Sequence, residues 1–262
     1  MNNKSCQIQV NNLSVSFGVK SILNDVNIDF VPGKVTAIIG PNGSGKSTLL
    51  KSLAGLIKPS TGVVRLAGKS LARFKHLERA QLLTFLMQNH SAVLDLTIYD
   101  LVSFGRHCHH GWPGLSYADK DKIAWAIAQV GLTELSTQQL GNLSGGQTQR
   151  AWLAMALAQD TPIILLDEPT TFLDIRQQLE ILTLLRQMNS QYNKTIIVVL
   201  HDIQQALQFA DYLLVMQAGK IVTHQAITEK KDIAVFEQVF GVKVDVYSLV
   251  NQPDLINITR LV

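Results

Sequence analysis

At 262 residues the chain can bury a substantial hydrophobic core, most simply as one large domain with sub-parts. Its net charge of +3 is scattered with no long Lys/Arg block, which argues against a nucleic-acid-binding surface. Hydrophobic residues make up 47% of the chain but come in short runs such as "TIIVVL" (195–200) and "PIILL" (162–166), far below the roughly 18–20 residues that cross a bilayer. The N-terminus "MNNKSCQIQV" is polar and has no signal-peptide stretch, and Cys6 and Cys108 show neither a disulfide nor a zinc-site pattern. The expectation is a cytoplasmic protein, without disulfides, that is free to dock on a membrane protein.

In chain order, residues 7–30 alternate apolar and polar side chains, the pattern of antiparallel strands with one buried face, and Pro32-Gly33 marks a turn. "KVTAIIG" then reads as a buried strand and "STLLKSLAGL" as the helix behind it, closing near Gly55. Residues 63–88 read as short strand-like pieces ending in "LLTFLMQ". From about residue 89 to 157 the period turns helical, in "TIYDLVSFGR", "YADKDKIAWAIAQVGL" and "GGQTQRAWLAMALAQD". Strand runs return at "PIILLDEP", "TIIVVLHD" and "YLLVMQAG", separated by helical segments, which implies a parallel α/β sheet. The tail reads as a helix, "DIAVFEQVFG", followed by strands.

Chemistry concentrates at the strand ends. "GPNGSGKST", comprising Gly40, Pro41, Asn42, Gly43, Ser44, Gly45, Lys46, Ser47 and Thr48, contains G-x-x-x-x-G-K-[ST] between a buried strand and a helix. Backbone N–H groups of such a loop close around phosphate oxygens, Lys46 reaches the β- and γ-phosphates, and the Ser47 hydroxyl ligates Mg²⁺. In "IILLDEP", Asp167 suits the Mg²⁺ shell and Glu168 the polarisation of an attacking water. His201, after the buried run "VVL", suits a contact to the γ-phosphate that also steadies Glu168 or the water, although a lone histidine also serves structure. Gln88 can donate and accept, as a residue sensing both Mg²⁺ and water must. Phe17 suits either an adenine ring or a place in the core. "NLSGGQTQR" (142–150) opens a further helix with a serine and two glycines, a second phosphate-binding helix start in one chain.

Taken in order, "GPNGSGKST", Gln88, "LSGGQ", "ILLDEP", "FLD" (172–174) and His201 resemble the motifs of an ATP-binding cassette ATPase, over essentially the whole chain. The resemblance implies an α/β P-loop NTPase core at about 1–88 and 158–225, an antiparallel N-terminal β-subdomain within it, a helical signature subdomain at about 89–157 and a C-terminal extension at about 226–262. It implies that Phe17 stacks adenine, Gln88 forms the Q-loop, Asp174 the D-loop and His201 the switch histidine. It also answers why two phosphate sites are present. In the family two cassettes bind head to tail, so Ser144, Gly145, Gly146 and Gln147 complete a site whose phosphate loop belongs to the other subunit. The departures are mild: "TQR" follows the signature where a basic residue is common, and Met155 stands where arginine is frequent.

A single phosphate loop, no fused membrane helices, no zinc cysteines and no long coiled coil point to a separate ATPase subunit of a solute importer. "LTIYDLVSFGRHCHH" (96–110) and "VFEQVFGVKVDVYS" (235–248) are similar to the segments of importers of ferric siderophores, haem and vitamin B12. The expected partners are transmembrane permease subunits, a substrate-binding protein and a second copy of the chain. The alternative is a cassette acting on nucleic acid or the ribosome. His107, Cys108, His109 and His110 invite a metal site, but consecutive residues do not readily face one tetrahedral ion, and a polar contact surface for the permease is the simpler reading.

Overall fold

The computed structural model describes residues 7–88, 95–109, 114–171, 173–228, 233–247 and 255–261. The chain forms two compact units, residues 1–73 with 195–262, and residues 74–194.

In the first unit, β1 (Ile8–Phe17) buries Ile8, Val10, Leu13 and Val15 and leaves the residues between them half-buried or exposed. It pairs antiparallel with β2 (Lys20–Asp29) and β4 (Thr61–Leu66), and β5 (Lys69–Ser70) completes a sheet of order β2-β1-β4-β5. β3 (Val35–Ile39) is buried at every residue and runs parallel to both β8 (Thr195–Val199) and β9 (Tyr212–Gln217). Continuous β-branched and aliphatic runs are what a strand covered on both faces requires. β10 (Lys220–Ala226) adds to β9 antiparallel. Behind β3 comes α1 (Lys46–Leu53), and its end is sealed where the Gly55 amide donates to the Ser52 carbonyl at 3.0 Å. Gly55 has φ +70°, the left-handed conformation that terminates helices. α7 (Ile203–Phe209) follows β8, and the chain closes with α8 (Ile233–Phe240) and the antiparallel pair β11 (Val242–Tyr247) and β12 (Leu255–Leu261).

The second unit contains α2 (His76–Ala80), β6 (Leu83–Leu86), α3 (Ile98–Phe104), α4 (Tyr117–Gln129), α5 (Gly145–Ala158), β7 (Ile163–Asp167) and α6 (Ile175–Tyr192). β6 lies parallel to β7, in register from Leu83↔Ile163 to Leu86↔Leu166. The sequence reads α2 as strand-like, but it is a single helical turn fixed by Glu78, whose carboxylate accepts from the Lys75 amide at 2.9 Å. Five residues are too few for a helical period to appear in the sequence. The longer helices begin where their caps say they should: the side chains of Thr97, Ser116, Ser144 and Asp174 each accept from the amide three residues on. Buried Ile98, Leu101 and Val102 of α3, Ile123 and Ile127 of α4, and the alanines of α5 make the helical core.

Candidate functional site

The phosphate loop hangs between β3 and α1 in the first unit. Gly40 is obligatory there, because a Cβ on it would lie 2.2 Å from the Met216 carbonyl oxygen. Gly45 caps α1 at φ +101°, and a Cβ on it would meet Leu23 at 2.7 Å. The loop is thus drawn in against β2 and the end of β9, and the Gly219 amide donates to the Ser44 carbonyl at 3.0 Å. Lys46 is buried, its ammonium donating to the carbonyls of Gly40 at 2.8 Å and Pro41 at 3.0 Å. These bonds hold the charge over the loop. The Ser44 hydroxyl is buried and has no hydrogen-bond partner. Buried polar atoms are nearly always satisfied, so an orphaned hydroxyl in this glycine-rich loop beside the Lys46 ammonium fits an anion as its partner. Pro41, Asn42 and Gly43 form the more open side of the loop, and Ser47 and Thr48 start α1 half-buried.

Elsewhere in this unit, His201 follows β8 and is exposed. Phe17 ends β1 at 55% exposure. The core reading of Phe17 therefore does not hold, and its ring is presented on the surface.

In the second unit the parallel pairing of β6 with β7 brings Gln88 and Glu168 together across 80 positions of sequence, the Gln88 amide Nε2 donating to the Glu168 carboxylate. Thr171 Oγ1 donates to the same carboxylate oxygen at 3.2 Å. Glu168 has φ +54°, a conformation a non-glycine residue rarely adopts and one that the surrounding contacts must hold. Asp167, one residue earlier, is buried at the strand end. Ser47 offers a hydroxyl oxygen, Asp167 a carboxylate and Gln88 an amide oxygen, each a donor type that a hard divalent cation takes.

α5 starts at the signature. The Ser144 hydroxyl accepts from the Gln147 amide at 3.3 Å, and Gln147 Oε1 accepts from the Ser144 amide at 2.9 Å. Ser144 and Gly145 are exposed, and a Cβ on Gly145 would meet nothing within 4 Å. Gly146 is buried against the Gln177 side chain, which would stand 2.6 Å from an added Cβ. Asp174 caps α6 by accepting from the Gln177 amide at 2.8 Å. Gln177 thus joins α6 and its cap Asp174 to Gly146 of α5. It and Thr171 are contacts that no motif in the sequence announces.

The described part of the 107–110 cluster, residues 107–109, does not turn its side chains to one place. His107 and His109 are exposed while Cys108 is buried, and burial pushes its thiol pKa up. His110 lies outside the described residues. Among the described residues no group of three or more His, Cys, Asp and Glu side chains is arranged to hold a metal.

Residues 23–171 match the family profile described as ABC transporter. The petrobactin import ATP-binding protein FpuC of Bacillus anthracis is 42% identical over 247 residues, covering 94% of this chain and 91% of that protein. The ferric enterobactin transport ATP-binding protein FepC of Escherichia coli strain K12 is 39% identical over 232 residues, covering 88% and 86%. Among solved structures, an ATP-binding cassette captured as a dimer in a post-hydrolysis state with ADP and phosphate matches with a TM-score of 0.76 at 28% identity, over 85% of this chain and 100% of that one.

Proposed function

The chain belongs to the ABC transporter family, and we propose that it is the ATP-hydrolysing subunit of an importer that takes up a ferric siderophore. The observation that carries this reading is the exposed start of α5, where Ser144 and the Gly145 amide stand ready for an anion that the chain's own phosphate loop already accommodates elsewhere. A second subunit's ATP is the partner that makes both features necessary. Two copies then bind head to tail, each γ-phosphate bridging one phosphate loop and the other copy's signature helix. Closure depends on the γ-phosphate, so hydrolysis releases it. The names of the relatives, import of petrobactin and transport of ferric enterobactin, support the cargo class and do not favour action on nucleic acid or the ribosome.

In this mechanism the exposed Phe17 stacks the adenine. Amides of Gly43, Gly45, Lys46, Ser47 and Thr48 and the orphaned Ser44 hydroxyl bind phosphate oxygens, with Lys46 supplying the charge. Ser47, Asp167 and Gln88 would hold Mg²⁺, which neutralises charge on the β- and γ-phosphates when bound. Glu168, aimed by its left-handed backbone and by its bonds from Gln88 and Thr171, orients the attacking water and takes its proton. His201 steadies the γ-phosphate, and Asp174 lies at the subunit contact. No described helix is long and apolar enough to cross a membrane; the chain docks on the cytoplasmic face of a permease, with a substrate-binding protein delivering the cargo.

The test is uptake under iron limitation in cells carrying only Glu168→Gln, offered labelled ferric siderophores, haem and cobalamin in turn. Selective loss of ferric siderophore uptake is expected. Unchanged uptake of all three, with no compensating importer, refutes the reading.

A further inference from the structure

The "GR" of the segment following α3 faces inward. A Cβ on Gly105 would lie 2.3 Å from the Met155 carbonyl oxygen of α5, so only glycine allows the approach. Arg106 Nη1 donates to the Ala158 carbonyl at 2.7 Å, and His109 Nε2 donates to the Gln159 carbonyl at 2.6 Å. Three successive grips therefore fall on the C-terminal end of the signature helix. The last carbonyls of a helix lack intrahelical donors and carry partial negative charge, so a guanidinium and an imidazole N–H suit them. The other arm of Arg106, Nε, donates to Asp119 Oδ1 at 2.8 Å, with the two side chains 13% and 6% exposed. Asp119 is in turn fixed by the Ser116 hydroxyl at 2.5 Å and amide at 3.0 Å. The bonds continue beyond α5: Gln159 Nε2 donates to the carbonyls of Ala80 at 2.7 Å and Leu83 at 3.3 Å, and Gln81 Nε2 to that of Cys108 at 2.7 Å. Leu83 begins β6, the strand that leads to Gln88 and its bond to Glu168.

We propose that Arg106 is a positioning residue that locks the 105–109 segment to the C-terminal end of α5, so that this segment, the signature helix and the root of β6 move as one body. Its consequence is that Ser144 and Gly145, at the other end of the same helix, are held in the register a second subunit's ATP needs. The inference rests on the reading of the signature helix given above. Arginine is required because its planar fork serves a carboxylate and a helix carbonyl at once, which a lysine ammonium on a flexible stem does not do in fixed geometry.

Arg106→Lys keeps the charge beside Asp119 and gives up the fork. Steady-state ATPase activity, affinity for a fluorescent ATP analogue and thermal unfolding are measured on the full chain, alone and assembled with its co-purified permease. A loosened signature helix lowers kcat about tenfold while analogue affinity and melting temperature stay near the parent values. Asp119→Asn, which keeps the Ala158 bond, costs less than Arg106→Lys. His109→Ala removes a single bond from an exposed residue and lowers kcat about threefold, and it stands in should Arg106→Lys unfold. Parent kcat in a folded Arg106→Lys protein, or in His109→Ala where that variant stands in, overturns the proposal. So does a loss of kcat fully accounted for by a lower melting temperature or weaker nucleotide binding, which is what a merely structural role produces. A parent whose ATPase ignores the permease overturns the transport reading instead, because the comparison on the isolated chain is independent of it.

Discussion

Gly145 is the first residue of α5, exposed and in helical conformation, and an added Cβ there meets nothing within 4 Å. Gly145→Ala therefore introduces no clash and removes a residue that weakens helices. The gain is at most about 1 kcal/mol, and at about 2–4 °C per kcal/mol for a chain of this class the melting temperature rises by about 1–4 °C. The functional effect runs the other way. In the proposed head-to-tail site the new methyl occupies the space a phosphate oxygen would enter to reach the Gly145 amide, and a hydrogen bond to a charged group is worth about 1.5–3 kcal/mol, so kcat falls by about 10- to 150-fold. Scanning fluorimetry and a coupled ATPase assay read the two effects on one preparation. A destabilised variant refutes the open geometry at the helix start, and a stable variant with parent kcat refutes the role of the signature as half of a nucleotide site.

Glu168→Gln is expected to dimerise in ATP with Mg²⁺ and not in ADP, with Ser144→Arg abolishing the dimer; light scattering that shows a monomer throughout, in the presence of the permease as well, opposes the head-to-tail mechanism. Thr171→Val removes one of the bonds aiming Glu168 and should lower kcat by about three- to tenfold with KM unchanged; an unaltered kcat means Gln88 suffices. Asp119 has its pKa lowered to about 2 by the Ser116 hydrogen bond, against the opposing effect of burial and with the help of Arg106. A depressed carboxylate contributes stability above its unfolded pKa of about 3.9 and loses it as pH falls through the folded value, so the melting-temperature gap between parent and Asp119→Asn should hold above about pH 4 and close toward pH 2. A gap that persists unchanged to pH 2 contradicts the depressed carboxylate pKa.

The strands and longer helices were readable in the sequence because their signals are local. Alternating burial in β1, unbroken apolar runs in β3, β7 and β8, and the caps Thr97, Ser116, Ser144 and Asp174 each act within a few residues. The short α2 escaped, having too few residues to show a period. Phe17 was ambiguous because alternation places an aromatic on a strand without saying whether anything covers it, and here nothing buries it.

The proposed chemistry of the 40–48 loop and of the α5 start is legible in sequence, since both readings depend on glycines, a serine and a lysine set at fixed offsets around one strand end or one helix start. Tertiary structure decided the rest, because it depends on residues distant in the chain meeting. The Gln88–Glu168 bond awaits the pairing of β6 with β7. The packing of Gln177 on Gly146 awaits the meeting of α5 with α6. The packing of α3 on α5 brings Gly105, for want of a side chain, close against the Met155 carbonyl and lets the forked donor of Arg106 reach the Ala158 carbonyl and the Asp119 carboxylate together, contacts that no local pattern announces.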